Sequence, residues 1–162
     1  GPCAAKKLEA SRRTIRSDVD FVLTFEEVMG MFEAKAIQFS EIAQGAQPHE
    51  ATADGRGFAV SGGVAAAVVN AIREMDPERE VKVMAAQGLR ECRKMLTLAK
   101  TGKLNGYLLE GMACPGGCVA GAGTLQNPGR ATAALNKYKL SAPEKYSTQS
   151  RFASAVQYLH ES

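Results

Sequence analysis

The sequence has only two histidines, His49 and His160, and neither stands at ligand spacing from a second donor. Structural zinc needs four ligands, and its cysteine pairs usually enclose two or four residues, so a zinc site is disfavoured. No apolar run approaches the roughly 20 residues that cross a bilayer, and no secretory signal is visible. The net charge of +3 is slight, and no interleaving of basic and aromatic residues marks a nucleic-acid surface. Lys6, Lys7, Arg12, Arg13 and Arg16 do concentrate near the start, but Glu9 and Asp18 interrupt them. Such a run reads as a solvated helix face. Four cysteines in 162 residues are too few for a disulfide framework, which points to a reducing, cytoplasmic compartment. Internal repeats and low-complexity tracts are absent.

What is present suits a globular domain, or a large piece of one. Hydrophobic residues make up 45% of the chain and charged residues 23%, enough to build a core. The 16 glycines gather at 55–63 and 111–123, where backbone is expected to approach something closely. Residues 3–16 read as a helix beginning near Cys3, and Val19–Thr24 as a short buried strand. Thr24 and Glu27 have capping-box spacing for a helix over 25–36. The polar stretch 43–57 reads as an exposed loop. An Ala- and Val-rich helix is expected over 62–75, ended by Pro77. Val81–Ala85 reads as a second strand, and 88–101 as an amphipathic helix with Leu89, Cys92, Leu96 and Ala99 on one face. Gly102 suits its stop. Tyr107–Glu110 reads as a third strand, and 128–139 and 150–160 as two more helices. Strands alternating with helices predict an α/β fold, a mostly parallel sheet flanked by helices. Ligand sites in such sheets lie beyond the carboxyl ends of the strands. Cys114 falls just there.

Thiolates are ligands for soft metals and iron–sulfur clusters. Cys114-Pro115-Gly116-Gly117-Cys118 places two of them on one tight loop. Pro115 stiffens it, Gly116 and Gly117 permit unusual backbone angles, and Gly121, Ala122 and Gly123 keep the next turn small. The spacing alone is a weak signal, although a dithiol redox pair would enclose two residues rather than three. Cys92, on the apolar face of its helix, reads as a structural thiol. Cys3 has Lys6 and Glu9 after it, which sets an ammonium beside a thiolate.

These residues resemble a known family, the iron-only ([FeFe]) hydrogenases. Gly1-Pro2-Cys3-Ala4-Ala5-Lys6-Lys7-Leu8-Glu9 looks like the second signature of their catalytic domain. The run from Glu110 to Gly123, with Met112, Cys114 and Cys118, looks like the third. Val19–Thr24 and Phe58–Val64 are also similar to family segments, and the resemblance covers about residues 1–125. It implies a lobe of the hydrogenase catalytic domain carrying part of an H-cluster, a [4Fe-4S] cubane joined to a two-iron subsite. Cys3, Cys114 and Cys118 would ligate the cubane, and Cys118 would bridge to the two irons. Lys6 would hydrogen-bond a cyanide there, a charge-assisted contact. Met112 would pack near the subsite, and Phe58 and Ala59 would line the pocket. Glu9 would serve as a structural partner for nearby donors.

Three departures stand out. The family's first signature, Thr-Ser-Cys-Cys-Pro, which supplies the fourth cubane ligand and the proton-shuttling cysteine, is absent. Gly1 stands where Met is common. Gly121-Ala122-Gly123-Thr124-Leu125 replaces the commoner Gly-Gly-Gly-Gln-Pro, which points to a sensory or slower subgroup. Residues 1–162 are accordingly expected to be the C-terminal portion of a truncated catalytic domain, inactive and without cluster in isolation. The implied function of the intact protein is interconversion of protons and electrons with H2. Its partners would be the N-terminal remainder of the domain and a ferredoxin-type carrier, with no nucleic acid and no membrane span. The alternatives are a hydrogen-sensing homologue and an iron–sulfur assembly protein lacking the two-iron subsite; Lys6 argues against the latter.

Overall fold

In the computed structural model, the structure describes residues 1–12, 19–43, 45 and 50–155. Six helices occur there: α1 (Ala5–Ser11), α2 (Phe25–Ala34), α3 (Ala53–Gly57), α4 (Gly63–Met75), α5 (Leu89–Lys100) and α6 (Pro128–Leu140). Two strands, β1 (Lys82–Gln87) and β2 (Tyr107–Met112), pair in parallel from Lys82 with Tyr107 to Gln87 with Met112. Parallel neighbours need a crossover, and α5 provides it, packing on both strands. The α/β reading therefore holds, with a small two-stranded parallel sheet among helices.

Local chemistry explains several element starts. Thr24 Oγ1 accepts from Glu27 N at 3.3 Å, and Glu27 Oε2 accepts from Thr24 N at 2.8 Å, a reciprocal cap for α2. Asn127 Oδ1 accepts from Gly129 N at 2.9 Å, and Pro128 occupies the first position of α6, where no N–H is needed. The α4 entry is steric. A Cβ on Gly63 would collide with the Gly57 carbonyl, so glycine there lets α3 and α4 meet.

Several expectations are corrected. Val19–Thr24 is not a strand: Asp20 is a bend, the described residues' one sheet holds only β1 and β2, and Phe21 is 85% exposed. A β-rich composition makes a strand only when a partner edge is within reach. The first helix starts at Ala5 and ends at Ser11, with Arg12 extended; residues 13–16 of the expected helix lie outside the described residues. The expected loop 43–57 contains α3, because its polar residues Thr52, Asp54 and Arg56 are buried and find partners. Thr52 Oγ1 accepts from Gly55 N at 3.2 Å, and Asp54 Oδ1 accepts from Asn70 Nδ2 at 2.8 Å. Arg56 donates to the Ala51 and Tyr138 carbonyls, both at 2.9 Å, and lies over the Tyr138 ring. These contacts bind α3 to α4 and α6. In α5 the buried residue is Met95, with Cys92 half-buried, whereas Leu89 and Leu96 are 74% and 60% exposed. The buried stripe is thus rotated from the one expected. Residues 150–155 make turns with Ala153 N→Ser150 O and Ala155 N→Phe152 O bonds rather than an α-helix, and 156–160 lie outside the described residues. None of the described helices is long and apolar enough to cross a membrane.

Candidate functional site

The carboxyl end of β2 leads into Cys114. Gly117 N donates to the Cys114 carbonyl at 3.0 Å, a tight turn that ends in the 3-10 segment Cys118–Ala120. Gly116 and Gly117 have φ of +94° and +95°, values that disfavour any side chain. A Cβ on Gly117 would lie 2.5 Å from Ser61 N and 2.7 Å from the Ala59 carbonyl. The loop is therefore pressed onto residues 59–61, and two hydrogen bonds seal that contact. Ser61 N donates to Gly116 O at 3.1 Å and Val119 N to Ala59 O at 3.0 Å. Ala59 is thereby fixed against the Cys118 turn, while the adjoining Phe58 is 44% exposed.

The turn after Cys118 receives the N-terminal motif. Gly123 N donates to the Pro2 carbonyl at 2.9 Å, and Phe25 N donates to Gly123 O at 3.1 Å. A Cβ on Gly121 would overlap the Pro2 carbonyl oxygen, and one on Gly123 would lie 2.7 Å from Thr24 Cβ. The small residues at 121 and 123 thus admit two distant segments, one carrying Cys3 and α1, the other opening α2.

Lys6 projects from α1 and is 57% exposed; its Nζ donates to Glu9 Oε2 at 2.6 Å. The Glu9 hydrogen bond and charge hold the ammonium above its ordinary pKa, opposed by desolvation and assisted further by the fields of Cys3 and Cys118. Lys6, Cys3 and Cys118 therefore share one electrostatic neighbourhood although they come from two ends of the chain. Met112 closes β2; its carbonyl accepts from Gly88 N at 2.8 Å and from Cys92 Sγ at 3.6 Å. Cys92 also donates to Ala86 O at 3.6 Å and lies under Gly111, so it fills the β1–α5–β2 interior instead of facing the loop.

The donor set fits an iron–sulfur cluster. Cys3, Cys114 and Cys118 are free, half-buried thiols beside small residues and backbone amides. Among the described residues no three His, Cys, Asp or Glu side chains surround a single ion. A cubane differs from a single ion because each of its thiolates binds a separate iron. His49 and His160 lie outside the described residues.

Two residues of this neighbourhood were not among the expected site residues. Gln87 Oε1 accepts from Gly116 N at 2.7 Å, and Glu110 Oε1 accepts from Val64 N at 3.2 Å. A polar side chain at a parallel strand's carboxyl end, and a carboxylate inside an apolar strand, are the cues that could have marked them.

Comparison with known proteins agrees with this geometry. Residues 1–122 match the family model for the iron-only hydrogenase large subunit, C-terminal domain. The chain is 30% identical to the periplasmic [Fe] hydrogenase large subunit of Nitratidesulfovibrio vulgaris, over 79% of this chain and 38% of that protein. It is also 30% identical to the cytosolic iron-sulfur assembly component 3 of Bos taurus, over 78% of this chain and 35% of that protein. Iron hydrogenase 1 of Clostridium pasteurianum is 26% identical over 75% of this chain and 27% of its own length. The chain thus spans between 27% and 38% of the length of these three relatives. Because that family model covers residues 1–122, Cys3, Cys114 and Cys118 among them, the chain belongs to the family of the iron-only hydrogenase large subunit, C-terminal domain.

Proposed function

We propose that this chain is the part of an [FeFe] hydrogenase that holds three thiolate ligands of an H-cluster and the ammonium facing it. Cys3, Cys114 and Cys118 would ligate the cubane, with Cys118 also joining the two-iron subsite. Lys6 would donate to a cyanide ligand, Met112 would pack against the subsite, and Phe58 and Ala59 would line its pocket. The bound group supplies the redox chemistry that interconverts protons and electrons with H2. The chain's own residues hold, orient and shield it. The observation that carries this reading is the Gly123 N–Pro2 O hydrogen bond at 2.9 Å, which brings the Cys3 segment onto the turn after Cys118. Glu9 fixes the Lys6 ammonium while leaving further N–H groups for a ligand. The remaining cubane ligand and the proton-shuttling cysteine would come from the N-terminal remainder of the domain, since Cys92 is committed to Ala86 and Met112. A ferredoxin-type carrier would exchange electrons, and the uncrosslinked thiols favour a cytoplasmic setting.

A second reading is supported by the 30% identity to a cytosolic iron-sulfur assembly component: a cubane alone, without the two-iron subsite. Anaerobic maturation of the intact protein separates the two. Hydrogenase predicts iron and sulfide beyond one cubane, a cyanide stretch in the infrared and H2 evolution. Assembly predicts a cubane with no cyanide stretch. Absence of both iron and sulfide would sink the cluster assignment altogether.

A further inference from the structure

The Gln87 side chain ends β1 and reaches the cysteine loop, a contact that no ligand role requires. Its Oε1 accepts from Gly116 N at 2.7 Å, while the Gly116 carbonyl accepts from Ser61 N at 3.1 Å. Both polar groups of the residue midway between Cys114 and Cys118 are therefore committed, one to the sheet and one to the entry of α4. Pro115 Cγ lies 3.7 Å from where a Cβ on Gly88 would stand, so the loop runs close past the residue that follows β1. Gly116 and Gly117, at φ near +94° and +95°, have many backbone states to choose from. The loop's shape must then be selected by its anchors, and Gln87 is the side-chain anchor.

We propose that Gln87 is a positioning residue that fixes the peptide between the two thiolates and withholds the Gly116 N–H from sulfur. The second half of this inference rests on the cluster assignment above. N–H donors near cluster sulfur stabilise the added negative charge of the reduced form and so raise the reduction potential. By engaging Gly116 N–H, Gln87 keeps one donor out of that set and holds the potential low.

The test uses the intact protein with Gln87→Leu, of similar size without an acceptor, and Gln87→Glu, which keeps one. In cluster-free protein, amide hydrogen exchange at Gly116 should accelerate about fivefold to tenfold in Q87L and stay near wild type in Q87E. Exchange at Gly117, whose N–H is bonded to the Cys114 carbonyl, should change little. In reconstituted protein, a redox titration followed by electron paramagnetic resonance should show the Q87L reduction equilibrium displaced about tenfold toward the reduced cluster, with no such displacement in Q87E. Unchanged Gly116 exchange in Q87L overturns the anchoring role. Faster exchange with an unmoved potential overturns the withholding role. Wild type that binds no iron overturns the cluster assignment and the withholding role with it, while the exchange measurement still decides the anchoring.

Discussion

Glu110 Oε1 accepts the amide of Val64 at 3.2 Å, joining the middle of β2 to the first turn of α4. The carboxylate is buried, and its Oε2 has no partner among the described residues, nor does the nearby Ser61 Oγ. A negative group placed here satisfies an N–H that the helix cannot pair itself and faces the positive end of its dipole.

Replacing Glu110 by Ala should therefore lower stability by about 1–3 kcal/mol, because the part-buried Val64 amide loses its partner. Glu110→Gln keeps the accepting oxygen and should lose less. Urea midpoints of the two variants measure the difference, and equal losses would show that the hydrogen bond is not the source.

Gly121 faces the Pro2 carbonyl with no room for a methyl group. Gly121→Ala should push the Cys3 segment off the loop, at about 1–3 kcal/mol, the usual range for overpacking. Iron content after reconstitution should fall together with the denaturation midpoint. Ala at Gly30, which has open space around it, serves as the control.

The Lys7 ammonium, and then the Thr24 N–H, hold the Glu27 carboxyl at about 2 instead of 4.5. The folded protein thus binds this proton less readily than the unfolded chain does. The contribution of Glu27 to stability is complete above pH 4.5 and is lost as pH falls toward about 2. In Glu27→Gln the thermal midpoint should drop less steeply across that window than in wild type. Parallel acid limbs would refute the linkage.

Cys118 and Cys92, both half-buried, should behave differently. Cys118→Ala in the intact protein should abolish loading of a two-iron subsite. Cys92→Ala should leave iron content unchanged, since its Sγ donates to the Ala86 and Met112 carbonyls inside the β1–α5–β2 unit. Iron and sulfide analysis of both variants distinguishes a ligand from a packing thiol.

Features set by neighbouring residues were legible in the sequence. Thr24 and Glu27 announce their cap by spacing alone, and β1, α5 and β2 follow from alternating apolar runs and glycine stops. The Cys114–Cys118 loop could be placed after a strand for the same reason. Long-range consequences were not legible. Val19–Thr24 has strand composition, yet strand formation depends on an edge that only the folded chain supplies. The polar residues Asp54 and Arg56 looked like loop, because their partners Asn70 and Tyr138 lie on distant helices. Gln87 and Glu110 acquire their roles the same way, through amides that the sequence does not place beside them.

The Gly123–Pro2 contact carries one further consequence, for the order in which the molecule assembles. The β1–α5–β2 unit is a continuous segment and needs only short closures, whereas this contact closes a loop of about 120 residues. The sheet and its cysteine loop should accordingly form early, with the Cys3 segment docking late. A cluster gripping both ends would act on the unfolded ensemble as a crosslink does, restricting the chain between them. Metal loading and closure of the chain would then be a single coupled equilibrium.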